Sequence, residues 1–303
     1  MPAEKLLFID TNIWLDFYRA RNDTGLKLLK QVEALTDNLI VTYQLESEFK
    51  RNRQNVLMES WENLKPPTDL GFPNIVAEAK ASKMLAAHMK EAKKRVTRVR
   101  GLIAKALTTP RHDPVYQACE RIFHWESDFV LSRENKHRKV IRAKALRRFL
   151  QGYPPRKKND TSMGDSFNWE WMIYCAAERK AELVIVSRDA DYGVTLETKC
   201  HLNDHLRQEF KERVSSRRKV VLFNRLTDGL KYFKVPISKK TVDAESAWIR
   251  AEFSGSTVED LNEFIGQATR VAYTRRGPGR KRASGPLLLA PPEDPADEDP
   301  PIP

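Results

Sequence analysis

Four short apolar runs stand out from a polar chain. They are LLFI (6–9), LIVT (39–42), LVIV (183–186) and VVLF (220–223), each of strand length and apolar throughout, as a strand buried on both faces requires. Between them the apolar positions recur at three and four. Thr11 and Asn12 can cap a helix carrying Ile13, Leu15, Phe17 and Tyr18, and Thr42 can cap one on which Leu45, Phe49 and Val56 share a face. Pro66, Pro67, Gly71 and Pro73 break the chain before a long stripe of Leu85, Met89, Ala92, Val96, Val99 and Ile103, which Thr109-Pro110 ends. Cys119 to Leu150 reads as amphipathic helix, and Gly152 to Pro155 as another break. After Gly164 comes a helix with Trp169, Met172, Ile173 and Ala176 on one stripe, and Leu226, Leu230 and Phe233 suggest a closing helix.

Strands separated by helices predict an α/β fold around a central parallel sheet. The sequence divides into a discontinuous core at 1–75 and 151–235, a helical insertion without strand signal at 76–150, a helical extension at 236–273 and a tail at 274–303. The tail is proline-rich and ends PPEDPADEDPPIP, a composition that cannot build a core and predicts disorder.

Charge changes this picture. The net charge is +12 over 303 residues, and it is uneven. Val76 to Thr109 holds nine Lys/Arg against Glu78 and Glu91, and Arg133 to Lys158 holds eleven against Glu134 alone. The remainder is mildly acidic, so two basic segments sit on an acidic body and predict a polyanionic partner, nucleic acid or an anionic membrane surface. The three cysteines form no CxxC pair, which argues against a disulfide scaffold or zinc ribbon and for a reducing cytoplasm. No apolar run reaches the roughly 18 residues of a membrane span, and the first residues lack the apolar stretch of a secretory signal.

The candidate chemistry lies in the acids after the strands. Asp10 ends the first apolar run, and Asp189 and Asp191 follow the third. Ligands of open parallel sheets bind beyond the carboxyl ends of the strands, so these acids are expected at one crevice. Carboxylates gathered there need a shared proton, a basic side chain or a cation, and hard oxygen donors favour Mg2+ or Mn2+. Singly, Asp10, Asp165 and Asp189 are also ordinary helix-cap candidates. Cys200, His201 and His205 have a metal-like spacing but are read as surface helix residues. Trp169 and Trp171 are read as one core and one surface residue, Asp16 and Asp160 as surface acids, and Glu170 as a metal neighbour or an exposed helix acid.

Four strings together resemble the motifs of PIN-domain nucleases. LLFIDTNIWLDFYR resembles the first, TYQLESEFKRNR the glutamate motif, GDSFNWEW the third and VSRDADY the last. LNDHLRQEFKERV and VVLFNRLTDGLKYF are similar to the larger bacterial PIN-like branch, which carries a helical insertion. The resemblance implies a three-layer α/β/α fold and an acidic cluster of Asp10, Glu48, Asp165 and Asp189, with Asp191 as a further metal ligand. Glu46 and Glu48 point about 200° apart on a helix, so only one faces the site, and the EFKRNR string favours Glu48. Thr11, Asn12 and Ser187 become hydrogen-bonding supports of the carboxylates. Arg51, Arg53, Arg95, Arg98, Arg142 and Lys144 are candidates for contact with nucleic-acid phosphate.

The implied activity is metal-dependent phosphodiester hydrolysis, with Mg2+ or Mn2+ as cofactor and RNA favoured over DNA as substrate. Toxin–antitoxin or phage-defence biology is a setting that suits such an enzyme. Homodimerisation and a protein regulator stay open. Two alternatives use the same residues differently: a degenerate PIN-like module that binds nucleic acid without cutting it, and a membrane or protein binder whose acids are caps.

Overall fold

The computed structural model describes residues 4–20, 23–156 and 162–250. The expected disordered tail at 274–303 lies outside them, as do Asp160 and most of the expected 236–273 extension. Within that extension, residues 239–250 are helical.

The four apolar runs are strands β1 (Lys5–Ile9), β2 (Leu39–Thr42), β4 (Glu182–Val186) and β7 (Val220–Phe223). They join a fifth, β3 (Val130–Leu131), in one parallel sheet of order β3-β2-β1-β4-β7. The strand order reverses at β1, so the crevice between the ends of β1 and β4 is the switch point of the sheet. Phe8 pairs with Ile185 and Ile9 with Val186, which brings the residues after both strands to the same edge. Leu6–Ile9 and Leu183–Val186 are fully buried, as a sheet covered on both faces demands.

One helical layer holds α1 (Thr11–Arg19), α2 (Thr24–Glu33), α6 (Pro114–Phe123) and α10 (Leu226–Tyr232), which pack on one another. The other holds α7 (Arg138–Gln151), α8 (Gly164–Arg179) and α9 (Asp204–Arg213). This division follows from right-handed crossovers: β1→β2→β3 runs one way across the sheet and β3→β4→β7 the other. Helix α3 (Tyr43–Asn63) starts directly at the end of β2 and packs on both α1 and α8. The short α4 (Asn74–Ala77) leads into α5 (Lys80–Thr108), which leans on α3.

The expected insertion at 76–150 is only partly one. Helix α5 is an appendage, with Ser82 its one buried residue. The rest belongs to the core. Strand β3 extends the sheet beside β2. Val115, Cys119, Ile122 and Phe123 of α6 and Ile141 and Ala145 of α7 are buried in the common core. A hairpin of β5 (Gly193–Leu196) and β6 (Lys199–Leu202), also unpredicted, follows the crevice. Cys200 and His201 therefore lie on a strand rather than a helix, and His205 on α9.

Several polar residues differ from expectation because distant charges meet them. Asp16 is buried and pairs with Arg188 at 2.5 Å and Arg19 at 3.5 Å. Arg53 is buried too. Its Nε donates to Asp113 at 2.8 Å and its Nη2 to the Ala106 carbonyl at 2.5 Å, so it ties α3, α5 and α6 together rather than meeting phosphate. Trp169 and Trp171 are both core residues: their indole nitrogens donate to Glu209 and to the Phe129 carbonyl, each at 2.9 Å. Glu170 is neither exposed nor in the acid crevice. It accepts from Arg148 at 2.9 Å and from Arg213 at 2.7 Å inside the α7–α8–α9 layer.

Candidate metal centre

Each acid reaches the crevice for a local reason. The Asp10 backbone N–H donates to the Val186 carbonyl at 2.9 Å, which carries the ladder one residue past β1. Its carboxylate then caps α1, accepting from the Thr11 N–H at 2.7 Å. The cap reading of Asp10 is therefore correct as far as it goes. The second carboxylate oxygen turns toward β4, accepting from Ser187 Oγ at 2.5 Å and from the Asn12 amide at 3.3 Å. Ser187 Oγ also accepts from the Asp189 N–H at 3.0 Å, so one hydroxyl orients both strand-end acids.

Glu48 arrives from α3. It accepts from Thr11 Oγ at 3.1 Å and from the Gln44 amide one turn earlier at 3.0 Å. Glu46 faces away, in an ion pair with Lys50 at 2.6 Å. Asp165 is in the first turn of α8, next to Gly164. A β-carbon at position 164 would overlap the Glu48 carboxylate, so the Gly-Asp string is what lets α8 bring Asp165 beside Glu48. Carboxylate oxygens of Asp165, Asp189 and Asp191 lie within 4.8 Å of one another. A second acidic grouping, Glu46 with Glu120 and His124, is bridged by a cation of the chain itself: Lys50 lies 2.6 Å from Glu46 and 2.9 Å from Glu120.

The electrostatics fit a crevice short of positive charge. Burial pushes the Asp10 carboxyl up to about 6, and the charges of Asp189 and Glu48 push the same way. The hydrogen bonds from Ser187 and Thr11 oppose the shift without cancelling it. The donors to Asp10 and Glu48 are hydroxyls and amides, which orient carboxylates and neutralise nothing. Oxygen donors of this kind and number suit a hard divalent cation.

A family model described as the PIN domain matches residues 7–192. The chain belongs to the PIN-domain family. That match spans the acids from Asp10 to Asp191 and the five-stranded architecture up to β4. PIN domains are generally metal-dependent nucleases that bind nucleic acid. No curated protein and no solved structure matches the chain. No helix among the described residues is long and apolar enough to cross a membrane.

Sequence reasoning passed over two residues of this PIN site. Gln44 steadies Glu48, and its only signal is the four-residue spacing on a helix. Tyr192 follows Asp191 and is fully buried, and the charges of Asp165, Asp10, Asp189 and Glu48 add to burial in holding its phenol well above the ordinary range.

Proposed function

We propose that this PIN-domain protein is a metal-dependent endoribonuclease. In this reading Asp10, Glu48, Asp165 and Asp189 are the catalytic metal ligands, with Asp191 a further one, and the cation is Mg2+ or Mn2+. What supports it is the convergence of acids from β1, α3, α8 and the loop after β4 at the switch point of the sheet, without a compensating cation on Asp10 or Glu48. When bound, the divalent ion supplies Lewis acidity, lowering the pKa of a water and stabilising the leaving oxygen of the phosphodiester. Thr11, Asn12, Gln44 and Ser187 hold the carboxylates in their orientations, so little reorganisation remains once the ion is present. Arg51, Arg95, Arg98, Arg142 and Lys144 are exposed and hold the phosphate backbone without reading sequence.

RNA is the favoured substrate, after the ribonucleases that the motif strings resemble. The test is Mn2+-dependent cleavage of a mixed RNA and DNA panel, with Asp10→Asn and Asp165→Asn as controls. Cleavage of RNA is expected from the wild type. Either variant should abolish it and leave RNA binding within a fewfold, because acids carry the chemistry and basic helices the affinity. Near-wild-type cleavage by either variant would overturn the catalytic assignment. RNA binding without cleavage by the wild type would favour a degenerate binding module.

A further inference from the structure

Tyr192 lies one residue past the last acid of the crevice. Its side chain is fully buried, and its ring packs against Phe8 of β1 with centroids 6.4 Å apart. The hydroxyl has no hydrogen-bond partner among the described residues. The backbone around it is satisfied: its N–H donates to the Asp189 carbonyl at 3.2 Å, and its carbonyl accepts from the Asn203 N–H at 2.9 Å. The segment is thus pinned on both sides, and the phenol is held with it. A buried, unpartnered hydroxyl costs roughly 1–3 kcal/mol. A phenylalanine would fill the same space against Phe8 without that cost. The charges of Asp10, Glu48, Asp165 and Asp189 all act on this one phenol, so it sits beside the carboxylate cluster rather than in the apolar core behind it.

We propose that Tyr192 is a positioning residue whose hydroxyl donates a hydrogen bond to an oxygen held in the carboxylate crevice. This rests on the nuclease reading above. The acceptor is either a water that accompanies the divalent ion or a phosphate oxygen of the substrate. Both are neutral or anionic oxygens that lack a donor on this side of the crevice, where the surrounding side chains are acids. A phenol suits the place because it donates without adding charge to a ligand set made of carboxylates.

The test compares full-length wild type with Tyr192→Phe. Thermal melts in chelator come first. The variant should melt at the wild-type temperature or above, because the hydroxyl has no partner within the fold, and a lower melt would overturn the proposal. Melts in Mg2+ alone, and in Mg2+ with inorganic phosphate, separate the two acceptors. A water acceptor predicts a smaller Mg2+-induced rise in the variant. A phosphate acceptor predicts an equal Mg2+ rise and a smaller additional rise with phosphate. In either case kcat should fall by roughly ten- to a hundredfold, as for other outer partners of metal ligands, with KM little changed. Equal rises in both conditions together with equal kcat would overturn the proposal. A wild type that neither cleaves RNA nor gains stability from Mg2+ would instead remove the nuclease reading, and this proposal with it.

Discussion

At the scale of single residues, Asp10 ties stability to chemistry. Its folded pKa of about 6 lies above the ordinary 3.8, so the metal-free fold is penalised whenever Asp10 is ionised. That penalty is present above about pH 6, is relieved as pH falls through 6, and is gone below about 4. At about 1.4 kcal/mol per pH unit it is on the order of 3 kcal/mol. Asp10→Asn carries no such charge. In chelator the variant should therefore be more stable than wild type at pH 7.5, and the gap should close between pH 6 and 4. The metal-induced gain of the wild type should fall over the same range, since a protonated Asp10 is a poor ligand. Paired denaturation curves across pH check this, and a gap that does not vary with pH would contradict it. The acids themselves were legible in the sequence because they follow apolar runs or sit in recognisable strings. Asp16, Arg53 and Glu170 were not, because each is buried by a charged partner far away in the chain: Arg188, Asp113 and Arg148.

At the scale of elements, strands of four or five apolar residues were legible, whereas β3 was not. Two residues, Val130 and Leu131, carry no periodicity, and the strand exists because β2 offers an open edge. The β5–β6 hairpin was hidden too. Its turn places Glu197 at φ 54°, where sequence rules look for glycine or asparagine. Helix α8 depends most on a long-range network. Arg148 of α7 bonds Glu170 of α8, Glu209 of α9 and the Pro154 carbonyl, and Arg213 of α9 grips both glutamates again. Removing one partner of a buried ion pair strands the others, at a cost of about 3–5 kcal/mol. Arg148→Ala should lose on the order of 3 kcal/mol, because Arg213 remains. Urea denaturation in chelator would show it, and an unchanged midpoint would mean the pairing is energetically neutral.

For the whole molecule, charge and chemistry occupy different parts of the fold. The basic residues cluster on α5 and α7, while the acids lie at the end of the sheet. In α5 the exposed side includes Arg95 and Arg98, and in α7 Arg142 and Lys144. Replacing these four by glutamate should weaken RNA binding. The slope of log affinity against log salt should shallow by at least roughly 3, at about 0.7 per single-strand phosphate contact. Filter binding across a salt series measures this, and an unchanged slope would show that the four serve only as solvated surface. The uneven charge was plain from the sequence, but its division was not. Arg53 and Arg148 count toward the basic total and are spent inside the fold.

The acids also come from points spread along the chain, Asp10 near its start and Asp189 and Asp191 almost two hundred residues later. No fragment shorter than that holds the set, and strand β4, which fixes the last two beside the first, is made just before them. A chain still leaving the ribosome therefore carries basic helices able to touch RNA well before it carries a complete cutting centre. Synthesis itself sets a delay between binding and cleavage, and the transcript being translated stays intact while the enzyme it encodes is unfinished.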